Sequence, residues 1–288
     1  MTISNKIDFA VILSVKDANP NGDPLNGNRP RVNYDGLGEI SDVCIKRKMR
    51  DRLMEMGQKI FVQSDDNRVD SHPNLRSRAD AVLSGKSKAE DKARLACETW
   101  FDVRAFGQLF AFKAATGKKG SEKGGTEGKD DKGVSIGIRG PVSIHSAFSI
   151  SPVSISSIQI TKSVSSEGDG KNRGSDTMGM KHRVDQGIYL FQGSINPQLA
   201  QKTGFSVADA AAIKAVLPRL FENDASSARP DGSMEILKVI WWQHNCPNGQ
   251  ASSAKVHRSL HVLPRSDGTI DIQLDEIAGL KPEIIEGY

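Results

Sequence analysis

Residues 163–187 read SVSSEGDGKNRGSDTMGMKHRVDQG and stand between two strand-like segments, ISSIQIT before and IYLFQGSI after. Both flanks read as buried strands of one sheet. Adjacent antiparallel strands need only a two-residue turn between them. A polar, glycine-rich flap in that place therefore serves something other than chain reversal. Its glycines let it swing or lie across a neighbour. Met178 and Met180 are apolar and deformable, and on a polar flap they call for a cover. An unpaired base or another subunit would cover them, and Lys181 and Arg183 would then meet phosphates.

The rest of the chain supplies the sheet that such a flap grows from. Phe9, Val11, Leu13 and Val15 alternate as in a strand buried on at least one face. KDANPNGDPLNGNRPR then reads as a loop, because Asn, Asp, Gly and Pro supply turn dihedrals. ISDVCIKRKMRDRLMEMG reads as a helix capped by Ser41 and closed at Gly57, with Ile45, Met49, Leu53 and Met56 on one face. Residues 62–86 read as polar and irregular. Ser87 and Glu90 form a capping-box pattern for a helix running to about Trp100. WFDVRAFGQLFAF reads as a strand bent at its glycine, and 113–133 as a flexible surface loop of low complexity. Val142, Ile144, Phe148 and Ile150 alternate in a further strand. FSVADAAAIKAVLPRLFEND reads as a second helix, started by Ser206 and Asp209 and kinked at Pro218. MEILKVIWWQHN and SLHVLPRS read as strands. Segregated helices among antiparallel strands imply an α+β fold rather than a parallel doubly wound sheet.

Several chemistries are excluded by their motifs. The chain has no Gly-x-Ser-x-Gly elbow, His-Glu-x-x-His pair, dinucleotide fingerprint or phosphate loop. Cys44, Cys97 and Cys246 are three and far apart, against a disulfide framework or zinc knuckle. His257 and His261 share an i, i+4 spacing in a strand-like stretch, where it does not converge on a metal. The pairs Asp65–Asp66 and Asp130–Asp131 read as solvated loops. No cofactor and no metal are implied. No apolar run is long enough for a bilayer, and the N-terminal stretch lacks the pattern of a signal peptide, so no membrane partner is implied and the location read is cytoplasmic.

The net charge is only +4, so its distribution matters more than its size. One cluster lies on the exposed side of the 41–57 helix, as Lys46, Arg47, Lys48 and Arg50. Such side chains neutralise phosphates and displace counterions without reading sequence. The loop 17–31 adds Asn19, Asn21, Asn26 and Asn28 among glycines, followed by Arg29 and Arg31. Backbone so bare of side chains can track a sugar–phosphate chain closely.

The motifs NPNGDPLNGNRPR, ISDVCIKRKMRD, FDVRAFG, GPVSIHSAFSISPV, SDTMGMKHRVDQGIYLFQGSIN and FENDASSARPDGSMEILKVIWWQHN occur in that order. Together they resemble the backbone (RAMP-superfamily) subunit of type I CRISPR Cascade, most closely the type I-C form, over nearly the whole chain. The resemblance implies a single domain over 1–288: an RRM-like (ferredoxin-like) palm with an antiparallel sheet, inserted helical fingers over 32–95, the loop 113–133 and a β-hairpin thumb over 163–187. It implies copies of the chain in a helical filament along one crRNA. The guide is held by its backbone, its bases are flipped at intervals by thumbs, and it pairs with target DNA beside other Cascade subunits. Carried to this sequence, it places Asn19, Asn21, Arg31, Lys46, Arg47, Lys48, Arg50, Lys162, Met178, Met180, Lys181, His182 and Arg183 at the RNA. The family pattern is that of members that do not cut. The alternative is a metal-dependent RNA endonuclease of the same superfamily using loop aspartates, Asp23 or Asp35.

Overall fold

The structure is a computed structural model and describes residues 1–112, 134–162, 178–265 and 269–288. The loop 113–133, and the part of the flap at 163–177, lie outside the described residues.

The first elements are β1 (Ile7–Ala18), the short pair β2 (Gly22–Asp23) and β3 (Arg29–Pro30), then β4 (Leu37–Ile40) and α1 (Asp42–Glu55). Next come α2 (Leu75–Leu83), α3 (Ala89–Thr99), α4 (Phe101–Phe106), β5 (Gly107–Phe112) and β6 (Val134–Arg139). The sheet then resumes with β7 (Val142–Ile144), β8 (Ala147–Pro152), β9 (Ile155–Thr161) and β10 (Met178–Ile195). After these follow α5 (Pro197–Thr203), α6 (Val207–Val216), β11 (Met234–Gln243), α7 (Ser253–Arg258), β12 (Leu260–Pro264), β13 (Ile270–Leu274) and β14 (Pro282–Glu286). No helix among the described residues is long and apolar enough to cross a membrane.

One antiparallel sheet runs in the order β14-β11-β1-β10-β8-β4, with β7 and β9 also paired to β10. The fold is α+β. β1 lies at its centre and is buried on both faces, so its apolar run is nearly continuous. Phe9, Val11, Leu13 and Val15 meet Ile45, Met49 and Leu53 of α1 and Ile213 and Val216 of α6 in the main core. Ala10, with Ile240 and Trp242, faces Val256 of α7 and Leu260 of β12 on the other side. Phe61, Leu83, Trp100, Phe110 and Ile136 form a separate small core under α2, α3 and the β5–β6 pair.

Local chemistry accounts for most boundaries. Ser41 caps α1 through its side chain, and Ser206 with Asp209 completes a capping box on α6. Pro218 ends α6 in a 3-10 turn at Leu217–Arg219. Other expectations are corrected. α3 starts after Lys88 without any side-chain cap, so the Ser87–Glu90 box does not form. The polar stretch 62–86 holds a helix, α2, capped by Asn74. WFDVRAFGQLFAF is half helix: α4 stops at Gly107, whose φ of +83° lets the chain turn into β5. The stretch around His257 is also helical (α7), with His261 beyond it on β12. α5 was not foreseen.

Candidate nucleic-acid interface

The loop 17–31 is held by its own asparagines. Asn19 is almost fully buried; its Nδ2 donates to the Asn28 carbonyl at 2.7 Å, and its backbone N–H to the Ala228 carbonyl at 2.8 Å. Asn21 Oδ1 accepts from both the N–H and the hydroxyl of Ser41, each at 2.9 Å. Ser41 Oγ in turn accepts from Cys44 N. The loop is thereby fastened to the first turn of α1. Asp23 Oδ1 accepts from Leu25 N at 3.2 Å and lies 3.4 Å from Arg31 Nη2. Leu25 stands at the loop tip in solvent.

The cations of α1 divide into two kinds. Lys46 pairs with Asp42 one turn earlier at 2.8 Å, and half-exposed Arg47 reaches Asp51 and Asp66 only at 3.8 and 3.7 Å. Lys48 and Arg50 are not on the exposed side. Lys48 is 5% exposed, is paired with Asp224 and sits over the Phe221 ring. Burial pulls its ammonium below the ordinary lysine range, with the Asp224 carboxylate pushing back up. Arg50 Nε donates to Asp102 Oδ2 at 2.9 Å, and its guanidinium covers Phe106. Asp102 is 1% exposed and also accepts from Phe61 N at 2.7 Å and Val62 N at 3.0 Å. The helical period misled here because α1 is covered on more than one side: the 222–229 loop and α4 lie against the faces that carry Lys48 and Arg50.

The flap is a two-stranded arm over its described part. β9 and the first half of β10 pair from Thr161↔Met178 to Ile155↔Val184. ISSIQIT is therefore a solvent-facing strand and not a buried one, and 178–187 continue β10 without a break. Directly opposed residues share a face and successive residues alternate. One face thus carries Met178, Met180 and His182 beside Thr161, Gln159 and Ser157. The other carries Lys181 and Arg183 beside Ile158 and Ser156, with Ile160 further out. Met178 is 60% and Met180 55% exposed. His182 Nδ1 lies 2.8 Å from Ser157 Oγ, and Lys162 is exposed at the outer end of the arm. At the arm's base, Arg183 Nε lies 3.4 Å from Asp17 Oδ1, and Asp17 has a φ of +53°. That contact joins the arm to the start of the loop 17–31, and β3 lies against β10 beside it.

The family model described as CRISPR-associated protein Cas7 matches residues 5–276. The chain belongs to the Cas7 family. A relative with that description from Haloferax volcanii is 31% identical over 250 residues, covering 83% of this chain and 71% of its own length. Two solved chains, titled "CRISPR RNA-guided surveillance complex, pre-nicking" and "CRISPR RNA-guided surveillance complex", each align with 82% of this chain. They align over 78% and 68% of their own lengths at 14% identity, with TM-scores of 0.47 and 0.42. A likeness that slight has no bearing on function.

In this Cas7-family chain, then, the loop and the arm come together, with Lys46 and Arg47 on α1 near the loop's anchor. Lys48 and Arg50 are turned inward. Asp17, Ile158 and Ile160 were missed by sequence reasoning. The signal for Asp17 was its place just before an Asn-Pro turn, where the short side chains of Asp and Asn tolerate positive φ.

Proposed function

We propose that this Cas7-family chain is the non-catalytic backbone subunit of a type I-C Cascade surveillance complex in the cytoplasm, with several copies lined along one crRNA. The guide would be displayed for pairing with target DNA, beside other Cascade subunits. The observation that carries the reading is the arm. It projects exposed methionines on one face and cations on the other, from a base fastened to an Asn/Gly loop. A methionine pair can wedge beside a displaced base, and Lys181, Arg183, Lys162, Lys46 and Arg47 can meet phosphates without reading sequence. Lys48, Arg50, Asn19 and Asn21 act at one remove in this reading, by holding α1 and the loop in place.

An RRM-like palm is supported by the order β11-β1-β10-β8, with α1 lying between β1 and β8 in the chain and α6 between β10 and β11. Fingers over 32–95 are supported by the small separate core, which extends as far as Ile136. Asp23, one of the two aspartates of the endonuclease alternative, is held by Leu25 N and Arg31, and no observation favours that reading.

The test is to replace residues 158–181 by a two-residue turn and co-express the chain with guide RNA. The expected product is folded, with assembly that no longer grows with guide length and a lowered ratio of absorbance at 260 to 280 nm. Unchanged length-dependent assembly would sink the proposal. RNA cleaved in magnesium or manganese and spared by chelator would instead establish the endonuclease.

A further inference from the structure

Asparagine precedes glycine at three places, Asn21–Gly22, Asn26–Gly27 and Asn248–Gly249. This dipeptide is the one most open to spontaneous loss of the side-chain amide, because glycine has no side chain to shield its backbone nitrogen. That nitrogen attacks the asparagine Cγ. The amide must therefore be free to turn towards it, and a five-membered ring must have room to close. The three sites share this chemistry and differ in their surroundings.

Two of them are held. Asn21 Oδ1 accepts from the N–H and the hydroxyl of Ser41, each at 2.9 Å. Gly22 pairs with Pro30, and a Cβ placed on it would collide with the Asn28 side chain. Asn248 Oδ1 accepts from Gln198 Nε2 at 2.9 Å, and Gly249 already donates its N–H to the Cys246 carbonyl at 3.3 Å. A Cβ on Gly249 would lie 2.8 Å from Lys6 Cδ, so space is short there too.

Asn26 is in the opposite situation. It is exposed together with Leu25, Gly27 and Asn28, and its side chain makes no hydrogen bond among the described residues. Gly27 has a φ of +58°, and a Cβ there would meet nothing within 4 Å. The tip is nonetheless closed off from the rest of the fold: Asp23 caps the turn Pro24–Asn26 through Leu25 N, and Asn28 N donates to the Asp23 carbonyl at 2.8 Å. A ring, or an extra main-chain atom, would project into solvent at this tip and leave the core untouched.

We propose that Asn26–Gly27 is a self-modifying site, at which the folded chain deamidates while its two sister sites are protected. The Gly27 nitrogen gives up its proton to solvent and forms a bond to Asn26 Cγ. The bond from Cγ to the side-chain nitrogen breaks, ammonia leaves and a succinimide closes. Water then opens the ring. Cleavage at Cγ gives aspartate with the ordinary main chain; cleavage at the main-chain carbonyl gives isoaspartate, with the chain running through Cγ. Water is consumed, ammonia is released, and no oxidant, reductant or enzyme takes part. The product carries a new carboxylate at the tip of the loop 17–31, three residues from Arg29. Its effect on guide RNA rests on the function proposed above; the modification itself does not.

The full chain is incubated folded, and in parallel unfolded in urea, at mildly alkaline pH, and peptide fragments are sequenced by mass spectrometry over time. In the folded chain Asn26 should convert to an aspartate and isoaspartate pair at least tenfold faster than Asn21 or Asn248. In urea the three should convert at similar rates, and Asn26→Gln should abolish the product at that position. An Asn26 that keeps its amide when folded but loses it in urea would overturn the proposal, and so would equal rates at all three sites in the folded chain. The second readout is guide RNA binding by Asn26→Asp, a mimic of the ordinary product. One added carboxylate offsets one phosphate-facing cation, so affinity should fall about threefold and the slope of log K against log salt should flatten by about 0.7. Conversion at Asn26 with unchanged RNA affinity in Asn26→Asp would remove the loop tip from the RNA and leave the modification standing, so the two failures are told apart.

Discussion

Helix α1 and the β9–β10 arm look alike in sequence, each a short stretch crowded with Lys and Arg beside apolar residues. In the folded chain they are opposites. On α1, two of the four cations are turned inward onto carboxylates: Lys48 meets the partly exposed Asp224, and Arg50 meets the buried Asp102. On the arm, Met178, Met180 and Lys181 pair, among the described residues, with Thr161, Gln159 and Ile158 of the opposite strand. A charged residue beside a buried acid stabilises the fold. The same residue on a projecting hairpin is available to a ligand.

The largest effect separating the two regions is expected at Arg50→Ala. It leaves the Asp102 carboxylate buried with only two backbone donors, and breaking such a pair costs about 3–5 kcal/mol, measured by urea unfolding. A fully stable Arg50→Ala protein with lost RNA binding would reverse the comparison. Lys48→Met should cost less, about 1–3 kcal/mol, because Arg229 still holds Asp224 at 3.1 Å. On the arm the pattern inverts. Met178→Ser with Met180→Ser should leave stability within about 0.5 kcal/mol and weaken guide RNA binding by about 1 kcal/mol, within the range of base-stacking contacts. Lys181→Ala should do less still, lowering affinity uniformly across sequences and flattening the salt slope by about 0.7.

The smallest effect tests the buried Arg78 with the partly exposed Asp70, which are 2.7 Å apart at closest. Hydrogen bonds from Arg78 hold the Asp70 carboxyl at a pKa of about 2, below its ordinary 3.8. The folded state therefore takes up this proton less readily than the unfolded one. The pair's contribution is complete above about pH 4 and is lost as pH falls through about 2. Melting curves of Asp70→Asn and the parent should differ at pH 5 and converge near pH 2; a constant gap would show that the pair contributes nothing through its charge.

Much of the fold was legible because its signals are local. Alternation at Phe9–Val15 located the central strand, and Ser41 and Ser206 located two helix starts, since a cap is decided within four residues. α2 and α4 were not legible. Their short apolar faces, Ala79 and Leu83 on one and Phe101 and Val103 on the other, are defined only by the cores that cover them. The buried appearance of ISSIQIT failed for the matching reason: its isoleucines have the right spacing for a core, but among the described residues none covers them and the outer part of the strand is exposed.

By itself the sequence determined an α+β chain with a central buried strand, a capped helix after an Asn/Gly loop, and a cation- and methionine-bearing insertion between two paired strands. Those features follow from periodicity, capping and turn chemistry, which act over a few residues. Only the tertiary structure decided which cations are free. Lys48 is separated from Asp224 by 176 residues and Arg50 from Asp102 by 52, and whether a charge is neutralised depends on neighbours in space that a local pattern does not record.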